Sequence, residues 1–312
     1  MKSSRFAKTA AGILALALAT LTLTGCTGQA RWQKGTGPIK IVASTNVWGD
    51  IAYQIAGDQA TVTALIDNVN QDPHSFEAST RDQLMVNKAD LIIVNGGGYD
   101  AFLETMAAGD AANGRLINIA SLVAMNSGSD NEHFWFSNKA VLTAADAIRD
   151  SLVEIEPASQ AAFDAGHDEF VSDLKLLGEQ MIGISDIKPD AQVLATEPLL
   201  DYLIAELGFT DKTPEAFKEA IEEETDAPLA AIAELEKLLK SGSIKVLFVN
   251  AQTASAQVDA LVKVAQANNV PVVSVSEFQT EADQSYINFK SNVLLDIETA
   301  LTTGESSAGD FD

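Results

Sequence analysis

Three histidines, one cysteine and two acidic residues set just past strand-like runs are the side chains of this chain whose types and spacing could do chemistry. His74 lies in Gln71-Asp72-Pro73-His74-Ser75-Phe76-Glu77, where Pro73 fixes the backbone and Ser79 is placed to cap the helix that follows. His133 lies in Asn131-Glu132-His133-Phe134-Trp135-Phe136, a polar loop that turns abruptly aromatic. An imidazole so placed can ligate a metal or move a proton, although the common use of a lone loop histidine is neither. Glu197 follows the strand-like run 192–195 and precedes Pro198, a favourable first helical residue, so helix-end stabilisation alone would account for it. Glu277 follows the run 271–275, and a solvated loop acid is its ordinary fate. His167, within a helical pattern and far from any strand end, reads as a surface residue.

The elements that must position these groups alternate. Short β-branched runs at 39–44, 62–66, 91–95 and 116–119 read as strands, with helical patterns near 50–57, 80–88 and 101–106. A Gly/Ser/Asn stretch at 126–131 precedes a helix over 140–155 that Ser137 could cap. Phe163, Phe170, Leu174, Leu177 and Met181 recur at helical spacing and predict one long amphipathic helix over 159–184. Beyond it strands are expected at 192–195, 245–250 and 271–275, and helices at 198–207, 228–240, 254–268 and 286–301. The pattern is that of two parallel α/β lobes joined by a helix, with no internal repeat evident. In such sheets ligands sit beyond the carboxyl ends of strands, where both loop histidines and both glutamates fall. Gly96-Gly97-Gly98 follows a strand without any Gly-x-Gly-x-x-Gly or Walker pattern, so a tight turn is expected rather than a phosphate cradle.

The single cysteine, Cys26, excludes a disulfide framework and any multi-cysteine metal site. A basic start (Lys2, Arg5, Lys8), an apolar stretch from Ala10 to Leu23 and Leu23-Thr24-Gly25-Cys26 have the layout of an export signal, too short and Thr-interrupted for a comfortable span. Residues 1–25 are read as signal peptide, 26–38 as a flexible tether, 39–157 as the first lobe and 158–186 as the linking helix. Residues 187–302 are read as the second lobe and 303–312 as a disordered tail. The 44 acidic against 20 basic residues, a formal charge of -24, leave no footprint for nucleic acid or for charge-driven binding to an anionic membrane.

Asp72-Pro73-His74-Ser75-Phe76-Glu77, Asn95-Gly96-Gly97-Gly98-Tyr99-Asp100, Glu132-His133-Phe134-Trp135-Phe136 and Ala195-Thr196-Glu197-Pro198 occur in this order after a sequence resembling a bacterial lipobox. Together they resemble the substrate-binding lipoproteins of manganese and zinc ABC importers (cluster A-I), over about residues 38 to 301. The resemblance implies an α/β, two-lobed, periplasmic-binding-protein-like fold with a long rigid linking helix, the helical-backbone metal receptor type. It implies one divalent ion between the lobes, held by His74, His133, Glu197 and an acid after the last strand, best matched by Glu277 with Asp283 as the alternative. It further implies lipidation of Cys26, an extracytoplasmic, membrane-anchored monomer, and delivery of the ion to a permease with a cytoplasmic ATPase. The chain lacks the His/Asp-rich loop of many zinc-specific members, and its segment after Glu277 is shorter than usual in manganese binders.

Two neutral imidazoles and two carboxylates carry a charge of -2, which balances a divalent ion, and no thiolate is present to draw Cu(I). Oxygen donors make Mn2+ or Fe2+ acceptable, while Zn2+ binds the same set more tightly by the Irving–Williams order. No catalytic cofactor is implied. Enzyme readings fare poorly: there is no His-Glu-x-x-His pairing, no Gly-x-Ser-x-Gly elbow, and four protein ligands leave no open position for water. Two other binding roles remain as alternatives: a receptor for an iron chelate or larger solute, calling for aromatics such as Trp48 and Trp135 in an open pocket, and a lipid-anchored surface adhesin.

Overall fold

A computed structural model describes residues 34, 36–69, 71, 73, 76–110, 113–123, 131–223, 225–253, 255–280, 283 and 285–307. All of them belong to one unit, Gln33–Asp312. The expected signal peptide, Cys26, most of the tether, His74 and the end of the tail lie outside the described residues. Among the described residues no helix is long and apolar enough to cross a membrane.

Apolar, β-branched runs become strands that are buried on both faces, as parallel sheets require. The first lobe holds β1 (Ile39–Thr45), β2 (Ala60–Ile66), β3 (Leu91–Val94) and β4 (Leu116–Asn118), in the order β2-β1-β3-β4 with every pairing parallel. All four residues of β3 are buried. Helices α1 (Asn46–Ala56), α2 (Thr80–Lys88) and α3 (Ala101–Met106) connect these strands, and the short α4 (Ile119–Leu122) and α5 (Asn138–Ile155) follow. The caps anticipated from sequence are present: Ser79 and Asp82 form a capping box on α2, and the Ser137 hydroxyl accepts from the Ala140 N–H on α5. Gly96, Gly97 and Gly98 all have positive φ and form the turn after β3, and a side chain at Gly96 would collide with Asn118.

The second lobe repeats the plan with β5 (Gln192–Ala195), β6 (Thr210–Asp211), β7 (Ile244–Asn250) and β8 (Val272–Val275), in the order β6-β5-β7-β8, again all parallel. Its helices are α7 (Asp201–Glu206), α8 (Glu215–Glu222), α9 (Leu229–Lys240), α10 (Ala256–Ala267) and α11 (Tyr286–Thr303). Between the lobes runs α6, Gln160–Ile187, a 28-residue helix about 42 Å long. Phe163, Phe170, Leu174, Leu177, Met181 and Ile184 form its buried stripe, packed on α1 and α5 of the first lobe and α11 of the second. One apolar cluster runs from the first sheet through this stripe to the second, so the helix is a shared wall of both cores.

Several expectations need adjustment. α1 begins at Asn46, four residues before the predicted start, and the helix expected over 198–207 is a 3-10 turn, Pro198–Leu200, leading into α7. Residues 208–227, to which the sequence pattern assigned no element, contain β6 and α8. A two-residue strand gives no alternation to detect, and α8 is a two-turn helix whose apolar stripe is only Phe217, Ala220 and Ile221. The tail is held through Ser307: the Ser307 N–H donates to Val272 O (3.1 Å) and the Ser306 hydroxyl accepts from Val272 N (2.9 Å), closing the edge of β8.

Candidate metal centre

Three strand ends build the second-lobe side of the site. β7 lies between β5 and β8, with Ala195 beside Phe248 and Asn250 beside Val275. Residues two past the ends of β5 and β8 therefore flank the end of β7, one strand spacing of about 4.8 Å to either side. These residues are Glu197 and Glu277, and Asn250 stands between them. Its amide nitrogen donates to Glu197 Oε2 at 2.6 Å and to Glu277 Oε1 at 2.8 Å, with Thr253 Oγ1 also in reach at 3.0 Å. Asn250 Oδ1 is occupied by the Gln252 N–H (3.0 Å), which fixes the amide's orientation. The second oxygen of Glu277 accepts from the Tyr99 hydroxyl (2.9 Å), a phenol of the first lobe whose pKa is raised by burial and by the Glu277 charge.

His133 enters from the first lobe. Asn95, at the end of β3, accepts from Trp48 Nε1 (3.0 Å) and donates to the carbonyl of Glu132 (2.9 Å), tying the histidine loop to the sheet. The turn after β3 is itself fixed by Asp100, whose carboxylate accepts from the N–H groups of Asn95 (2.6 Å) and Gly96 (2.8 Å). The His133 ring is buried between Tyr99 and Trp135, with centroids 6.0 and 5.2 Å away. Its Nδ1 lies 2.8 Å from Asn131 Oδ1, an atom that can only accept. The neutral ring therefore carries its proton on Nδ1 and presents the Nε2 lone pair, the arrangement a metal-binding imidazole needs. Nε2 faces Glu222 Oε1 at 3.7 Å.

The histidine loop is also fastened to the second lobe. Tyr286 donates to Trp135 O (2.6 Å), Lys290 to Phe136 O (2.9 Å) and Asn138 Oδ1 (2.7 Å), and Tyr202 to Asn131 O (2.7 Å). Glu206 accepts from Ser137 Oγ (2.8 Å) and Asn138 N (3.1 Å). Lys290 is fully buried, and burial lowers its pKa to about 7 against the opposing pull of Glu206.

Of the sequence-predicted residues, Glu197 and Glu277 are thus joined through Asn250, while the second-lobe carboxyl group that His133 Nε2 faces is Glu222, which the sequence did not single out. His74 lies outside the described residues. Asp283, the alternative to Glu277, spends its carboxylate on its own segment, accepting from Thr280 N (2.7 Å), Thr280 Oγ1 (2.9 Å) and Asn292 (2.9 Å). Among the described residues no three His, Cys, Asp or Glu side chains close on one point. His167, read from the sequence as a surface residue, is half-buried and bound to Asp146 (2.8 Å), tying α6 to α5. Trp48 and Trp135 are core residues, at 0% and 1% exposure, and are not available to line an open pocket.

Sequence reasoning passed over Glu222 and Asn250. Burial pushes the Glu222 carboxyl up to about 8, helped by the charges of Glu197, Glu132, Glu277 and Asp201. Asn250 was expected only as the last residue of a strand, and it is the sheet order, β5-β7-β8, that sets it between the two acids; Glu222 had no signal, because its helix was not foreseen.

Two parallel sheets of the same strand order, a helix shared by both cores and polar groups gathered where the strand ends face one another define a two-lobed receptor. The profile of the family described as zinc-uptake complex component A, periplasmic (ZnuA), matches residues 41–300, and the chain belongs to that family. The manganese-binding lipoprotein MntA of Bacillus subtilis is 26% identical over 281 residues, 87% of this chain and 90% of that protein. MntA of Halalkalibacterium halodurans is 28% identical over 145 residues, a match that spans only 45% of this chain and 48% of that protein. Among solved structures the periplasmic zinc-binding protein TroA of Treponema pallidum superposes with a TM-score of 0.72 at 18% identity, covering 85% of this chain and 99% of TroA.

Proposed function

We propose that this protein is the extracytoplasmic receptor of a metal importer: it captures one divalent transition-metal ion, Mn2+ or Zn2+, between its lobes and delivers it to a membrane permease driven by a cytoplasmic ATPase. Membership of the zinc-uptake family supports the class. The observation that carries the site is His133, buried, with Nδ1 committed to Asn131 and Nε2 facing a single carboxyl group of the second lobe, Glu222, at 3.7 Å. The ligand set is His74, His133, Glu197 and Glu277. Glu277 is preferred to Asp283 because it reaches Asn250 and Tyr99 in the cleft, whereas Asp283 is held by its own segment. The ion is cargo, the protein acts as a monomeric receptor rather than an enzyme, and lipid on Cys26 anchors it outside the cell membrane.

Metal analysis and calorimetric titration of a chain beginning at Thr27 test this reading. One equivalent of Mn2+ or Zn2+ is expected, and His74→Ala and His133→Ala each weaken binding by more than about tenfold. No bound equivalent, or parent-like affinity in both variants, would refute it. In cells, Cys26→Ser moves the protein from the membrane fraction to the soluble extracytoplasmic fraction; retention on the membrane would rule out the anchor.

A further inference from the structure

The structure brings into the cleft a side chain outside the family's four positions. We propose that Glu222, on α8 of the second lobe, is a fifth ligand that closes with Glu197 and Glu277 on the captured ion, three carboxylates that do not meet on one point in the structure. The inference rests on the metal-receptor reading above and deepens it.

The first argument is distance. His133 Nε2 and Glu222 Oε1 are 3.7 Å apart, too far for a hydrogen bond and close for a lone pair facing a carboxylate. An ion bound to both at about 2.1 Å would sit between them with an N–metal–O angle of about 120°, within the range of protein metal sites. The second argument is that the elements aim Glu222. One turn earlier on the same helix, buried Lys218 bonds Asp201 on α7 and Asp211 on β6 (3.0 Å for the latter). Phe217, Ala220 and Ile221 fix the helix on the sheet, so Glu222 is held at its cleft end. The third is the company it keeps: Glu197 and Glu277 come off the ends of β5 and β8 in the same lobe and are joined there through Asn250.

With neutral imidazoles, three carboxylates carry a charge of -3, and five donors exceed the four of an ordinary closed zinc site. Such an oxygen-rich set suits a hard ion that accepts a larger coordination number, which favours Mn2+ within the limits of the Irving–Williams order.

The test is Mn2+ titration of the full mature chain and of Glu222→Gln, Glu132→Gln and His133→Ala. Glu132→Gln removes an equal charge from the same neighbourhood without removing the proposed ligand. Glu222→Gln is expected to raise the Mn2+ Kd by more than about tenfold, and Glu132→Gln by less than about threefold. A Glu222→Gln protein that binds Mn2+ within about threefold of the parent, or a Glu132→Gln protein that loses as much, would overturn the proposal. Parent-like binding in His133→Ala would instead refute the underlying site. Melting of each metal-free variant checks the fold. If Gln disturbs it, Glu222→Asp keeps the charge and withdraws the carboxylate by one bond: a ligand again loses more than about tenfold, and parent-like binding overturns the assignment.

Discussion

Asn250→Leu removes a neutral donor shared by two carboxylates while nearly keeping side-chain volume. Asn250 is 4% exposed, and its amide nitrogen donates to Glu197 at 2.6 Å and Glu277 at 2.8 Å. Hydrogen bonds to charged groups contribute about 1.5–3 kcal/mol each. The two share one nitrogen and are not fully additive, so we take about 3–4 kcal/mol for the metal-free protein at pH 7. At about 2–4 °C per kcal/mol, the metal-free variant should melt about 6–16 °C below the parent. A bound divalent ion supplies positive charge to the same carboxylates, so saturating Mn2+ should narrow the gap and raise the variant's Tm by more than it raises the parent's. Differential scanning calorimetry with and without Mn2+ reads both effects. A metal-free variant melting within about 2 °C of the parent would show that Asn250 does not hold the acids together. An equal gap with and without metal would show that its role is unconnected to the ion.

Gly166 on α6 lies where a Cβ would come within 2.5 Å of the Ile55 carbonyl oxygen, so Gly166→Ala must push the linking helix off α1, at a cost of about 1–3 kcal/mol in urea denaturation. Phe170→Ala empties a fully buried position of the shared stripe and should cost about 3–5 kcal/mol by the same measurement. Lys290 has a folded pKa of about 7, below its unfolded value of about 10.4, so the unfolded chain holds the extra proton between them and stability should rise with pH across that window. Lys290→Met should abolish that rise while leaving Phe136 O and Asn138 without their donor; an unchanged pH slope in urea titrations would refute the assignment. His167→Ala, which loses contacts with Asp146 and Asp168, should leave metal affinity unchanged in calorimetry.

The sequence made the alternation legible because β-branched strands and long amphipathic helices carry their period in the residues themselves. The stripe Phe163, Phe170, Leu174, Leu177 and Met181 is the clearest case: each is buried as its spacing requires. Short elements left no such trace, which is why β6 and α8, and with them Glu222, went unseen. Motif resemblance named His133, Glu197 and Glu277 as candidates, but nothing in the spacing of Asn250 or Tyr99 announces that they bond the acids. Those contacts arise from strand order, β5-β7-β8, which places residues far apart in the chain side by side.

Strand order also exposes a repeat that the residues conceal. β2-β1-β3-β4 and β6-β5-β7-β8 correspond strand for strand, so β3 and β7 hold equivalent places. At the end of each stands an asparagine: Asn95 just after β3 and Asn250 as the last residue of β7. Each amide bonds the segments carrying candidate ligands, Asn95 through the Glu132 carbonyl beside His133 and Asn250 through the carboxylates of Glu197 and Glu277. The two halves nevertheless diverge in what they fasten. The histidine loop, first-lobe by sequence, is bonded to α7 and α11 of the second through Tyr202, Glu206, Tyr286 and Lys290. A separation of the lobes that carried His133 away from Glu197 and Glu277 would break these buried bonds together, several of them to charged groups that are costly to strand. The geometry therefore makes His133 mechanically a part of the second lobe's face, and the Asn250→Leu and Lys290→Met variants probe the two halves of that face independently.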